Sequence, residues 1–397
     1  MKHVVIVGAG FAGVRVARKL RKQRDISVTI INSSPDFKYN PAWYRAATGK
    51  KMGTARLPLE WMLLDDSNVD LVMGTASKVD IKKKLITLED GTTVTYDIVV
   101  FALGSITTYF NIEGLHEHAF GIKTAEEVTA LRKHLHDKIL NKSKDEANYV
   151  VIGAGPTGVE VSGVLGSYLK RIAKKHKHKA HNINIWLVDS APRILPQLPV
   201  RVSKIVERRL KRQGVKMLIN TMVKAETLQS LKTSKGTIKT HTVIWTAGVA
   251  TNPFFEQQGD QFSRVLTGKV HVNKHLEAHP GVYVIGDNAA TKYSGLALTA
   301  VWHGDFVAKD IIAHLHHKKR PTKYEHRPVH VVPAGDHWAI LEYGWFVVYG
   351  RLISLVRSAA DYIGYKDLLG YFRALTIWTN SERPEDACEV CHTTVTK

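Results

Sequence analysis

The chain has 397 residues, 44% hydrophobic and 23% charged, which is enough for two or three globular domains and excludes a disordered, collagenous or repeat-only protein. Lys and Arg number 56 against 36 Asp and Glu; the formal charge of +20, with 20 His able to add to it below neutral pH, points to a polyanion such as nucleic acid or an anionic membrane face. The two cysteines, Cys388 and Cys391, lie in the last ten residues, which excludes a disulfide-stapled secreted fold and any redox mechanism needing a cysteine pair in the body of the chain.

The first predicted element is the strand HVVIV at 3–7, which runs directly into Gly8-x-Gly10-x-x-Gly13 and a helix-like pattern. This leaves no room for a signal peptide, and no run of about 18 uncharged apolar residues follows, so a cytoplasmic chain without a membrane-spanning helix is expected. In the glycine turn, the first glycine makes a tight turn, the second lets backbone approach a pyrophosphate, and the third packs helix on strand. Phe11 and Ala12 open the helix, whose unpaired N–H groups offer partial positive charge to phosphate. The next strand, SVTIIN, ends at Asn32, where the dinucleotide fingerprint asks for an acidic residue. Asn32 can still hydrogen-bond a ribose, so the site is retained without its charge.

Further strands follow in TYDIVVFALGS (95–105), which ends in a small-residue turn at Gly104, and then in YVVIGAGPTGVEVSGVLG (149–166). The latter repeats the opening motif 145 positions on, with Gly153, Gly155 and Gly158 in place of the first three glycines and Pro156 and Thr157 between them. One such motif is weak; two, each in strand–turn–helix context, point to two dinucleotide sites. The basic stretch KRIAKKHKHKAH (170–181) delays the following strand, which ends at Asp189. A carboxylate there favours NADH, since it would repel a 2′-phosphate. HTVIWTAG (241–248) ends at Gly248, and HPGVYVIGDNAA (279–290) leads into Gly286-Asp287, a junction able to present a carboxylate and amides to a polar ligand tail.

The last third carries a basic run, HLHHKKR (314–320), and an aromatic-rich stretch at 338–378. Val348, Leu352, Leu355, Val356, Ala359 and Ile363 fall at the spacing of one helix face, interrupted by Arg351, Arg357 and Lys366. Aromatic residues mixed with Arg and Lys suit a helix lying in a membrane interface, and the basic runs suit anionic lipid. Cys388-Glu389-Val390-Cys391-His392 matches the C-x-x-C-H of haem attachment, but that attachment follows export; a tail metal site or redox pair stays open beside chance, which is the preferred reading. No metal site is expected.

The two glycine motifs, ALGS at 102–105, WTAG at 245–248 and IGD at 285–287 stand in the order of the two-dinucleotide-binding flavoproteins, which the chain resembles over about residues 1–330. YNPAWYRAATG (39–49), GIKTAEEVTALRKHL (121–135), GAGPTGVEVSG (153–163) and VDSAPRILPQLP (188–199) narrow the resemblance to the type II, single-subunit, non-pumping NADH:quinone oxidoreductases. It implies an α/β fold of two Rossmann-like domains, the NAD domain inserted in the FAD domain, with a C-terminal helical membrane-associating segment. The expected boundaries are 1–110 and 265–330 for FAD, 111–264 for NAD(H), and 331–397 for membrane association or dimerisation. The implied cofactors are FAD and NADH, and the implied partners are a quinone, an anionic membrane surface on the inner face of the cell membrane, and a second copy of the chain.

By the same resemblance, hydride passes from NADH to FAD and two electrons pass on to a membrane quinone, in a respiratory chain and without proton pumping. Glu160 comes near flavin and quinone, where it can tune protonation. The family's glutamine-rich stretch beside the flavin is replaced here by ALTAVWHG (297–304): Ala297, Ala300 and Gly304 fit, whereas Leu298, Trp302 and His303 stand at glutamine positions. His303 can supply a hydrogen bond or a proton near pH 7 and Trp302 can stack on a flat ring. The absence of cysteine near 37–50 argues against disulfide reductases and sulfide:quinone oxidoreductases. The altered segment keeps open a soluble acceptor such as oxygen, and the charge keeps open a basic flavoprotein that binds nucleic acid, for which no motif is evident.

Overall fold

A computed structural model describes residues 1–63, 68–140, 147–177, 183–322 and 324–385. Cys388, Cys391 and His392 lie outside the described residues, as does the end of the basic stretch at 178–181. The chain divides into two compact units: Met1–Lys38, Leu57–Thr107 and Val249–Pro328 form the first, and Tyr39–Arg56, Thr108–Gly248 and Val329–Lys397 form the second.

The first unit is built on a six-stranded sheet whose spatial order is Glu277–His279, Val282–Val284, Ile98–Phe101, Lys2–Val7, Ile26–Asn32 and Val69–Met73. All neighbours are parallel except the antiparallel edge pair Glu277–His279 and Val282–Val284. Strands buried on both faces read as continuous apolar runs, and KHVVIV, ISVTIIN and IVVF do so. The helices Phe11–Leu20 and Ala297–Leu315 pack together in this unit. A second patch of core joins Phe101 to Phe254, Phe255 and Phe262, with ring centroids 5.2, 5.8 and 5.7 Å away.

The second unit repeats the plan with four parallel strands, in the order Val215–Leu218, Ile183–Val188, Ala147–Ile152 and Thr242–Trp245. A three-stranded antiparallel sheet, Val223–Thr227, Ser230–Thr233 and Gly236–Lys239, adjoins it. Its C-terminal part is the meander His330–Pro333, Ala339–Tyr343 and Phe346–Gly350, followed by the helices Arg351–Leu369 and Tyr371–Ser381.

Three expectations are corrected here. The apolar stripe from Val348 is not one helix: Val348 belongs to the strand Phe346–Gly350, which ends at Gly350 with φ of 124°, and the helix starts at Arg351. Residues 39–56, expected in the first domain, group with the second unit because the helix Trp43–Ala47 packs on the helices Ala125–Leu140 and Pro156–Lys175. Residues 249–264, expected in the inserted domain, group with the first unit through the phenylalanine core just described.

Candidate active site

The two glycine turns are built alike. In the first unit the Gly8 N–H donates to the Ile31 carbonyl at 2.8 Å, and in the second the Gly153 N–H donates to the Val188 carbonyl at 2.8 Å. Both glycines have φ of +104°, which L side chains avoid. A Cβ on Gly13 would lie 1.9 Å from the Gly8 carbonyl oxygen, and one on Gly158 would lie 1.7 Å from that of Gly153. These four positions need glycine for the fold alone.

Gly10 and Gly155 do not. Gly10 has φ −81° and ψ −168°, Gly155 has φ −71° and ψ −176°, and any residue adopts these values. A Cβ at either position meets nothing within 4 Å. Neither backbone strain nor packing explains glycine here, whereas close approach of a ligand does. The helices Phe11–Leu20 and Pro156–Lys175 begin directly after these open positions, with no side chain capping their N-termini, and Pro156 stands in the first turn of the second. Phe11 packs edge-on against Phe37 at 5.0 Å, and Ala12 is buried.

The strand-end residues brace the turns. Asn32 Oδ1 accepts from the Ala9 N–H at 3.0 Å while its Nδ2 donates to the Ser34 carbonyl at 2.6 Å. Asp189 Oδ2 accepts from the Ala154 N–H, and its Oδ1 from the Ala191 N–H at 2.7 Å. Ala9 and Ala154 are equivalent residues inside the two turns, so amide and carboxylate perform one structural task.

The other predicted junctions of the first unit converge on Asn288, which sequence reasoning did not single out. Asn288 is fully buried; its Nδ2 donates to the Gly104 carbonyl at 2.9 Å and its Oδ1 accepts from the Asn252 N–H at 3.0 Å. Gly104 and Gly286 both have positive φ, and Asp287 Oδ2 accepts from Ser105 Oγ at 3.0 Å. Ala300 is buried, and a Cβ on Gly286 would lie 3.9 Å from its own. In the second unit a Cβ on Gly248 would collide with the Thr108 carbonyl at 2.0 Å, so Gly248 is demanded by the chain itself.

His303 lies against the Gly286 turn. It is 1% exposed, its Nδ1 accepts from the Gly286 N–H at 3.2 Å, and burial pushes its ring down to about 4. Burial thus favours the neutral imidazole, whose Nδ1 braces the Gly286 turn. Trp302 is half-buried with its ring 5.1 Å from that of His326, and Leu298 is exposed.

Glu160, on the first turns of the helix Pro156–Lys175, belongs to a cluster in the second unit that the sequence did not reveal. Asp361 is 1% exposed and takes Arg45 Nη1 on Oδ2 at 2.6 Å. Its Oδ1 accepts from Arg357 Nη1 and, at 3.2 Å, from the Tyr39 hydroxyl. Tyr39 lies 4.3 Å, ring to ring, from Tyr365, whose hydroxyl donates to the Thr54 carbonyl at 2.8 Å. Burial pushes the Glu160 carboxyl up to about 7, opposed by Arg357 and Arg45 and reinforced by Asp361. A carboxyl poised near neutrality can hold or release a proton there. Burial pushes the Tyr44 hydroxyl upward as well, so it stays protonated.

The helix Arg351–Leu369 faces two ways. Arg357, Asp361 and Tyr365 point into the cluster, so Arg357 does not interrupt the apolar stripe as expected but lies off it. Leu352 (77% exposed), Leu355 (67%), Val356 and Ile363 point outward, and Trp345 (85%) and Phe372 (82%) are exposed as well. No helix among the described residues is long and apolar enough to cross a membrane.

These sites were compared with known proteins. The chain is 29% identical over 395 residues to a type II NADH:quinone oxidoreductase of Mycobacterium tuberculosis, covering 93% of this chain and 80% of that one. It is 28% identical to the type II NADH:quinone oxidoreductase of Staphylococcus aureus, covering 78% and 82%. Among solved structures, NDH2 from Plasmodium falciparum in complex with NADH matches with a TM-score of 0.82 at 16% identity, covering 96% and 97%. The sulfide:quinone oxidoreductase of Aquifex aeolicus matches with a TM-score of 0.79 at 20% identity, covering 98% of each; identities this low speak to the fold alone. The family model described as pyridine nucleotide-disulphide oxidoreductase matches residues 2–304, and the chain belongs to that family.

Proposed function

We propose that this protein is a type II NADH:quinone oxidoreductase, a non-pumping flavoenzyme that oxidises NADH and reduces a quinone dissolved in the membrane. The observation that carries this reading is the pair of matching nucleotide turns, each with a glycine that only a ligand explains, in a chain similar over 93% of its length to an enzyme of that name. FAD and NADH fit the residues present. Gly8, Gly10, Phe11, Ala12, Gly13, Asn32, Gly104, Gly286, Asp287 and Ala300 would hold FAD, and Gly153, Gly155, Pro156, Thr157, Gly158, Asp189 and Gly248 would hold NADH. When bound, the flavin supplies hydride acceptance from NADH and two-electron reduction of the acceptor.

The chain's own groups then have separate tasks. The open turns at Gly10 and Gly155 let backbone N–H groups meet a pyrophosphate, and the helix N-termini favour its charge. Asp189, which accepts from the Ala154 and Ala191 N–H groups, would present its carboxylate where a 2′-phosphate would lie. Glu160, with its carboxyl raised to about 7, is poised near neutral pH to exchange a proton with the acceptor's oxygen. The outward face of Leu352, Leu355, Val356, Ile363, Trp345 and Phe372, together with the net charge of +20, would seat the protein on the anionic inner face of the cell membrane.

The test is to follow NADH loss by flavin-loaded protein at fixed low oxygen, with and without a short-chain quinone. Stimulation by quinone, weak with NADPH, is the expected result. Bleaching of the flavin by NADH without any quinone effect would refute the quinone assignment and leave the cofactors in place.

A further inference from the structure

Arg45 is 6% exposed, on the short helix Trp43–Ala47 of the second unit. Its Nη1 end is engaged by Asp361 at 2.6 Å, with Glu382 at 3.9 Å. Its Nε and Nη2 are buried and have no hydrogen-bond partner among the described residues. These two nitrogens form the bidentate edge of the guanidinium, the edge that proteins use to grip an oxygen. Leaving charged donors buried and unpaired costs more than leaving a neutral pair so. Its surroundings are engaged as well: Asp361 also takes Arg357 and the Tyr39 hydroxyl, and the Tyr44 ring lies 5.7 Å from the guanidinium carbon.

The charges nearby decide what the edge takes. Arg45 and Arg357 stand against Asp361, with Glu382 at the rim, so there is no surplus positive charge for a full anion. A neutral carbonyl dipole that becomes more electron-rich on reduction suits this balance. Tyr39, Tyr44 and Tyr365 are buried around the cluster and offer it aromatic surroundings. The helix Arg351–Leu369 supplies Arg357 and Asp361 to the cluster and carries the outward apolar face, so one element joins the buried guanidinium to the surface that suits lipid.

We propose that Arg45 is a binding residue for the quinone, its Nε–H and Nη2–H edge donating to one carbonyl oxygen. This rests on the quinone reading above. Overall, NADH, one proton and the quinone give NAD⁺ and the quinol; Arg45 keeps all its protons and favours the oxygen on which negative charge grows.

Arg45→Lys keeps a cation against Asp361 but removes the bidentate edge. With the flavin still bleached by NADH as the check on a folded, loaded protein, KM for a short-chain quinone is expected to rise about 10–100-fold, more than kcat falls, because a charge-assisted hydrogen bond is lost. Unchanged KM in that loaded variant would overturn the proposal and assign the edge to solvent or to structure. If the variant does not fold, the wild-type protein decides: in infrared difference spectra of a quinone labelled with ¹³C at its carbonyls, one carbonyl band moves to lower frequency, and two bands at their free positions would overturn the proposal equally. Wild-type protein that shows neither quinone-stimulated NADH oxidation nor quinone binding fails the parent reading instead, a result seen before any variant is made.

Discussion

Gly10→Ala separates what the fold requires from what a ligand requires. The added methyl meets no protein atom within 4 Å, at a φ of −81° that alanine adopts freely. Restricting the unfolded chain favours the variant by about 0.4–1 kcal/mol. Gly10 is also an N-cap, where alanine is the poorer residue by about 1 kcal/mol. The two terms oppose, so the flavin-free protein should keep its stability to within about 1 kcal/mol. Gly13→Ala is the contrast: its methyl would lie 1.9 Å from the Gly8 carbonyl oxygen, where ordinary contact begins near 3.4 Å. Helix and strand must part there, at a cost of about 1–3 kcal/mol or more. In the presence of flavin the order changes, since the Gly10 methyl occupies the space the pyrophosphate uses; the same 1–3 kcal/mol scale, applied to the ligand, weakens FAD binding by about 5–150-fold. The assay is denaturant unfolding of both flavin-free variants, beside a flavin titration of each. If Gly10→Ala binds FAD like the wild type, or unfolds as readily as Gly13→Ala, the argument from open space fails.

Glu160→Gln should remove a pH step. With the carboxyl raised to about 7, quinone-dependent kcat of the wild type falls as pH rises through that value, and the variant loses the step while its flavin is still bleached by NADH. The stability sign agrees: a raised carboxyl contributes stability fully below its ordinary 4.5 and loses it as pH rises through about 7, so the variant should show a flatter stability profile across that window. Equal profiles would remove Glu160 as the titrating group. Asp361→Asn leaves Arg45 and Arg357 buried against a neutral amide and should cost about 3–5 kcal/mol in denaturant unfolding. A loss below about 1 kcal/mol would mean that the cluster is wetter than its burial implies. Leu352→Asp combined with Phe372→Asp should sharply reduce cosedimentation with anionic vesicles, because each large apolar side chain contributes about 1.5–3 kcal/mol when buried. Unchanged cosedimentation would move the membrane contact elsewhere.

The parts of the molecule that could be read from its sequence are those governed by local geometry. Gly8, Gly13, Gly153 and Gly158 are dictated by turn dihedrals and helix–strand contact, so the repeat was visible at a glance and both turns proved superimposable in their hydrogen bonds. Arg45 and Asp361 stand 316 positions apart, and no periodicity links them; only the folded chain brings an arginine of a loop-borne helix to an aspartate on a C-terminal one. The apolar spacing through 348–363 was real but ran across Gly350, a boundary between strand and helix that a hydrophobic count does not see. Periodicity also cannot tell an inward from an outward face, which is why Arg357 looked like an interruption and turned out to be the buried side's own charge. The surroundings of His303 were hidden for a related reason: sequence shows a histidine but not its burial against the Gly286 turn, which lowers its basicity.

The shared bracing role of Asn32 and Asp189 has a consequence for how such a protein can change. Each lends one oxygen to the amide inside its turn, at Ala9 or Ala154, and that task needs an acceptor but no net charge. Loop geometry and discrimination between phosphorylated and unphosphorylated coenzymes are therefore independent settings. A lineage, or an engineer, can exchange carboxylate for amide at the strand end and alter which reductant is welcomed, while the backbone beneath keeps its shape.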